Sequence, residues 1–377
     1  MITLGDSPLF SDCRARAGQA WERLVWPNPK SEAWRRSDLD FLKLPQEPVR
    51  QWADWNLVSR AEGALMPLGE GLGRWGPAVA RYFMEGVRPE DGKFQAQHYR
   101  FLGDGVCVYL PPGRLIEEPL RMARRLAHAG AYYPHTLIVL DEGAAATVIA
   151  QESSAEDSIF VNAATEIFLG AGARLSLAVI QEQGAATRDF SFISASLQKD
   201  SFLEVYFIEA GAMARRLEFV SRGLGTGAES RITGACAVEG SRNLDVHAAH
   251  YHEAPLTRSD MLWKVTLSGR SKASFLGVIK IAKGADGSEA LQTLNNLLLS
   301  DRAQANPDPR LEILANDVLA KHSATVGHLS QEDLFYLLSR GLNPQEAERL
   351  MSRGFLRHTL ERLAPPLREE LDRWFDG

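Results

Sequence analysis

Thiols are scarce in this chain of 377 residues: Cys13, Cys107 and Cys236 are its only cysteines. Odd in number and far apart, they exclude a disulfide framework and a Cys-x-x-Cys metal site. A basic excess is missing as well. The formal net charge is −6 and the pI about 5.9, which argues against a nucleic-acid binder, whose contact face would be positive. No run approaches the roughly 18 uninterrupted apolar residues of a membrane span. The first ten residues lack the basic start and apolar stretch of a secretory signal, so a cytoplasmic location is expected. No Gly-x-x-x-x-Gly-Lys-Ser/Thr occurs, so ATP hydrolysis would have no phosphate cradle. Any ATPase acting with this protein must be a separate chain.

What is present divides the chain into three textures. Residues 1–95 hold six of the eight tryptophans, Trp21, Trp26, Trp34, Trp52, Trp55 and Trp75. Helical spacing is read around 15–24 and around 48–64. Gly71-Leu72-Gly73-Arg74-Trp75-Gly76 matches Gly-x-Gly-x-x-Gly, but residues 65–68 make a poor strand ahead of it, so it is read as a loop. Residues 96–327 change to short β-rich runs at 106–110, 136–140, 165–169, 175–180, 202–208, 217–220, 262–267 and 275–281. Turn markers at Gly143, Gly172, Asp200 and Gly227 recur at steps of 29, 28 and 27 residues. Such a step without intervening helices points to a β-solenoid. Residues 328–377 are helical in period. Ser330 with Asp333 makes a near capping box, with Leu334, Phe335, Leu337 and Leu338 as its buried stripe. Gly341 ends that helix. Asn343-Pro344 opens the next, with Ala347, Leu350, Met351 and Phe355 inward and Leu356 and Arg357 available outside. Pro365-Pro366 breaks the chain before a last helix ending near Phe375.

Two groups of residues could do chemistry. His247, His250 and His252 crowd one strand, where His250 and His252 share a face and His247 points away. They cannot converge on one metal, and Glu253 is the only nearby carboxylate, so they are read as structural. Cys107 and Cys236 are read as small buried hydrophobes, and Cys13 as structural. The second group is the stretch 292–327, read as strand, polar turn, strand. It ends on the imidazole of His322, set among Ala320, Ser323, Ala324 and Gly327, small residues that let another surface come close.

Residues 311–327 read LEILANDVLAKHSATVG, and this segment resembles the end of the core in the SufB/SufD family of iron–sulfur cluster assembly scaffolds, "LEIYADDVKCSHGATVG". The likeness continues through Leu334-Phe335-Tyr336-Leu337 and Ser339-Arg340-Gly341. Glu32–Leu39 resembles the "EEWRYTDL" element that opens many members, and Trp34 within it is read as core. The resemblance implies a right-handed β-helix flanked by a helical N-terminal region and a C-terminal helical domain. It implies pairing with a SufB-like subunit through the solenoid end and with a SufC-like ATPase through the last helices. A homodimer is expected when the chain is alone. It also implies that His322 is a candidate ligand for iron or an iron–sulfur cluster, shared with a partner cysteine. Ala320 stands where relatives carry cysteine and Ser323 where they carry glycine, so the thiol must come from the partner. That departure favours SufD over SufB. A transient cluster or iron is then expected in the complex, no tightly bound cofactor in the isolated chain, and no turnover of its own. The rival reading is a β-solenoid carbohydrate-active enzyme, which needs clustered acids on one face. Glu166, Glu204 and Glu218 are the only obvious acids on the strands, without evident pairing.

Overall fold

The computed structural model describes residues 8–31, 34–35, 53–59, 61 and 63–376. Strands alternate between two parallel sheets, giving a β-solenoid of about eight coils. The first sheet runs, neighbour by neighbour, through Leu120–Leu126, Ala145–Ser154, Arg174–Glu182, Phe202–Glu209, Glu229–Val238, Arg258–Leu267, Ser288–Leu298 and Val318–His328. The second runs through Asp104–Leu110, Pro134–Leu140, Ile159–Leu169, Thr187–Leu197, Ala214–Gly223, Asn243–His252, Lys272–Ile281 and Gln304–Ile313. Asp54–Val58 and Leu65–Pro67 pair antiparallel with the first strand of each sheet and cover the starting end.

The corners carry the turn signal seen in the sequence. Gly143, Gly172, Asp200 and Gly227 all take positive φ, and the column extends to Gly113, Leu256 and Gly287. Each N–H donates to the carbonyl just before the next marker, as from Gly143 to Ala171 and from Gly172 to Lys199, both 2.8 Å. The ladder holds successive coils in register with a left-handed residue at each step, the conformation glycine adopts without a Cβ penalty.

Inside, alternate side chains of both sheets meet in one apolar core that includes Val148, Leu177, Phe207, Phe219 and Trp263. Outside, each sheet has its own cover. The N-terminal helices Pro8–Arg23, Leu68–Trp75 and Lys93–Phe101, with the turn at Phe83, pack Phe10, Leu68, Phe83, Phe94 and Tyr99 onto Phe160, Phe190 and Phe192 of the second sheet. Trp34 stacks on Phe94 and Phe190, with the Arg216 guanidinium 3.9 Å from its ring centre. On the first sheet, Leu356, Leu360, Leu367, Leu371 and Phe375 cover Ile149, Ile180, Tyr206 and Ile208. Strands covered on both faces are buried throughout, as in Pro134–Leu140. Where the outer cover stops, alternation returns, as in Ser288–Leu298; a parallel strand reads as a continuous apolar run only when both faces are buried.

Several local expectations are corrected. In place of a helix around 48–64, residues 54–58 form an edge strand; residues 48–52 lie outside those described, as do Trp52, Glu32, Ala33 and 36–39. The glycine-rich segment at 71–76 is not a loop. Helix Leu68–Trp75 contains it up to its C-cap, Gly76, and a Cβ on Gly71 would come within 2.8 Å of both Cys107 and Trp75. Its glycine therefore serves close packing. Stretch 292–327 holds three strands, because Gln304–Ile313 crosses to the second sheet before the chain returns at Val318. Both caps expected at the C-terminus are present: Ser330 accepts from the Asp333 N–H, and Asn343 and Glu346 form a reciprocal box. The stripe on helix Gln331–Ser339 is not buried, since Phe335 is 74% exposed, with Tyr336 and Leu338 also exposed. On helix Pro344–Arg357 Ala347 is buried and Phe355 packs on the first-sheet cluster, as expected, but Leu350 is exposed and Leu356 is buried against the sheet. Arg357 is tied to Asp372 at 2.8 Å.

Candidate functional site at the open end of the solenoid

The last coil consists of Gln304–Ile313 and Val318–His328, and among the described residues no strand pairs beyond either. Val318–His328 lies in register on Ser288–Leu298, so Ala290 stands beside Ala320, Gln292 beside His322, Leu294 beside Ala324 and Asn296 beside Val326. Paired residues of parallel strands project to the same face. Ala290, Gln292, Leu294 and Asn296 are the buried, inward residues of their strand. The row bearing His322 therefore continues the inner face, but with no further coil to shelter it, and His322 is exposed. The outward row is polar and laced to the strand below: Thr325 donates to Asn295 at 2.9 Å and Ser323 to Thr293 at 3.4 Å. On the inward row between Ala320 and Val326, His322 is the one side chain with a metal-donor atom.

The thiols are elsewhere and shut away. Cys13, Cys107 and Cys236 are all free and buried. Burial pushes the Cys13 thiol up to about 12 and also raises Cys107 and Cys236 well above the usual thiol range. A metal ligand must be a thiolate, so these three cannot serve an exposed site at the last coil. At the last coil the chain thus offers two exposed imidazoles, His322 and, at the strand's end, His328, and no accessible thiol. An iron or cluster site that used His322 would need its thiolate from another chain.

The histidine-rich strand is structural in its geometry. Inside the solenoid, His250 Nδ1 lies 2.5 Å from Ser221 Oγ. His252 is held through both ring nitrogens, by Thr257 at 2.7 Å and Ser259 at 2.8 Å. Burial lowers His250 to about 3 and His252 to about 4, so both are neutral imidazoles. His247 points outward, 3.3 Å from Asp245 and 3.2 Å from Arg216. Among the described residues no three His, Cys, Asp or Glu side chains are placed to hold a metal.

The strands carry more acids than Glu166, Glu204 and Glu218. Glu152, Asp189 and Glu209 also lie there, their charges met by buried arginines: Arg124 with Glu152 at 2.8 Å, and Arg215 with Glu209 at 3.2 Å and with Asp189. Burial drives Glu209 up to about 7, against the pull of Arg215. The three acids singled out earlier are equally engaged. Glu166 accepts backbone N–H bonds from Met84, Gly86 and Val87, Glu218 pairs with Arg216, and Glu204 faces Arg231 and Ser176. The buried members have no access to a saccharide, and nothing favours a glycosidase pair.

Residues 124–355 match the family model described as SUF system FeS cluster assembly, SufBD core domain. The chain belongs to the SufB/SufD family. It is 27% identical over 286 residues to the iron–sulfur cluster assembly protein SufD of Bacillus subtilis, covering 74% of this chain and 65% of that protein. It is 30% identical over 234 residues to SufD of Escherichia coli, covering 62% and 55%. An iron–sulfur cluster assembly SufBD family protein of Mycobacterium leprae is 28% identical over 359 residues, 92% of this chain and 88% of that one. The chain thus spans less than two thirds of the two SufD proteins. The family match covers most of the solenoid, including Ala320 and His322, and stops before the final helix. Among the described residues, no helix is long and apolar enough to cross a membrane.

Proposed function

We propose that this protein is a SufD-like scaffold subunit of a cytoplasmic SufBCD-type complex that assembles iron–sulfur clusters. It contributes architecture, partner binding and one histidine ligand, without turnover of its own. The observation that carries this reading is the pairing of the SufBD match with an uncovered last coil, where His322 faces inward beside Ala320. An imidazole and a thiolate brought from two chains suit iron, whose clusters are held by cysteine and sometimes by histidine. A SufB-like subunit covers the open end and supplies the thiolate, while a SufC-like ATPase docks on the C-terminal helices, whose first member leaves Phe335 and Tyr336 exposed. Iron or a cluster is cargo here, held in the complex and not by the isolated chain.

The test is anaerobic reconstitution of the complex, with iron per complex and visible absorbance measured for wild type, His322→Ala, His328→Ala and His252→Ala. Loss of iron in His322→Ala alone is expected, since His328 shares its strand and exposure. Equal iron in all four would remove the ligand role. Loss confined to His252→Ala would move the site into the solenoid interior.

A further inference from the structure

Gln292 is an amide without a partner. It is 1% exposed, yet neither Oε1 nor Nε2 has a hydrogen bond. It stands in an inward row with Ala290 and Leu294, in register with Met261 on the strand before. Space has been left for it, because a Cβ on Gly277 of the facing sheet would overlap its Nε2. A buried donor or acceptor left unmade costs about 1–3 kcal/mol, and a methionine or leucine would fill the same volume without that cost. The amide therefore answers to something that this chain alone does not provide in its interior.

Its register names the candidate. Gln292 stands directly beside His322, on the same face of adjacent strands, about 4.8 Å apart along the sheet. Among the described residues His322 for its part has no hydrogen-bond or ion-pair partner, and it is exposed. A histidine that binds metal through one ring nitrogen donates the other N–H to an acceptor, and that contact fixes both tautomer and ring orientation. The backbone of the last coil offers no such acceptor on the inward face, where side chains stand perpendicular to the sheet. Gln292 Oε1 does, after rotation of a side chain with three free torsions away from Gly277.

We propose that Gln292 is the positioning residue for His322: its amide oxygen accepts the N–H of the inward ring nitrogen and turns the other ring nitrogen, lone pair outward, toward the covering subunit. This rests on the reading of His322 as a ligand. Gln292 itself touches no metal.

The complex with the cysteine-bearing SufB-like subunit is titrated anaerobically with Co²⁺, whose thiolate charge-transfer and ligand-field bands report binding. Wild type is compared with His322→Ala, Gln292→Leu and Gln292→Glu, and 15N-histidine labelling reads the His322 tautomer in the metal-free complex. Loss of an outer-shell partner typically lowers metal affinity 10–100-fold. That loss is expected for Gln292→Leu, with rescue by Gln292→Glu, which keeps the acceptor. One tautomer is expected in wild type and a mixture in Gln292→Leu. If Gln292→Leu does not fold, Gln292→Met, equally without both polar atoms, takes its place. Co²⁺ affinity within twofold of wild type in Gln292→Leu, with binding lost in His322→Ala, overturns the positioning role and leaves the ligand standing. Unchanged binding in His322→Ala overturns both.

Discussion

A carboxyl group inside the solenoid can be neutral at little cost or charged at a large one, and Glu209 sits at that balance. Burial raises it to about 7 despite Arg215 beside it, whereas an unfolded glutamate titrates near ~4.3. Between those values the folded state binds more protons than the unfolded one. The contribution of Glu209 to stability is therefore fully present below about 4.3 and lost as pH rises through about 7. Glu209→Gln is neutral at every pH. Its stability relative to wild type is expected to be flat below pH ~4, to climb through pH 5–7 and to level off above, read from denaturant midpoints. A gap that shrinks over that range would mean that the ionised pair with Arg215 is the stabilising form. The buried histidines act in the opposite sense. His98, His250 and His252, held neutral down to about 3, 3 and 4, withdraw stability as pH falls below ~6.5, where unfolded histidine picks up protons.

Among the elements, the C-terminal helices separate into two kinds. Those spanning Pro344–Arg357 and Pro365–Asp376, with the turn between them, bury Leu356, Leu360, Leu367, Leu371 and Phe375 on the first sheet. Each buried side chain contributes about 1.5–3 kcal/mol, and their loss would bare Ile149, Ile180, Tyr206 and Ile208 of the first sheet. Deleting residues 330–377 is therefore expected to lower the stability of the solenoid, read from its melting temperature. Helix Gln331–Ser339 is different, with Phe335 and Tyr336 turned to solvent. Phe335→Ser with Tyr336→Ser is expected to leave the melting temperature near wild type and to weaken SufC capture at least tenfold in a pull-down titration. Unchanged capture would place the ATPase elsewhere. The same contrast explains what could be read from sequence. The regular step of Gly143, Gly172, Asp200 and Gly227 was legible because each corner demands a left-handed residue. Strand Leu120–Leu126 was not, since Arg121 and Arg125 interrupt its inward leucines and methionine. Thr187–Leu197 hid behind Asp189 and its serines, which are inside only because Arg215 and Gln183 satisfy Asp189. His322 was found through the motif around it. Gln292 was missed because nothing in a sequence marks an amide as unpaired.

For the molecule as a whole, the two ends of the solenoid differ in kind. The starting end is covered by antiparallel strands Asp54–Val58 and Leu65–Pro67, whereas the final coil presents bare edges with Ile313, Leu314, Leu319 and Val326 exposed. The apolar run 297–299 is not that edge, because Leu298 is buried beneath the Val318–His328 strand; the edge lies one coil further on. Its two strands are not equivalent. Gln304–Ile313 carries Pro307 and Pro309, and a proline in an edge strand leaves its missing N–H on the open side. That edge is blunted against pairing. Val318–His328 contains no proline and keeps its full set of donors, next to His322. A second chain is therefore expected to add along Val318–His328, a like chain when the protein is alone and a SufB-like subunit when one is supplied. Light scattering at micromolar concentration should give a dimer for the isolated protein and a heterodimer once SufB is added. Leu319→Asp with Val326→Asp places charge on both faces of that strand, and should yield a folded monomer that gains no mass with SufB. A wild-type chain that stays monomeric, and remains so with SufB, would overturn the reading of this coil as an interface.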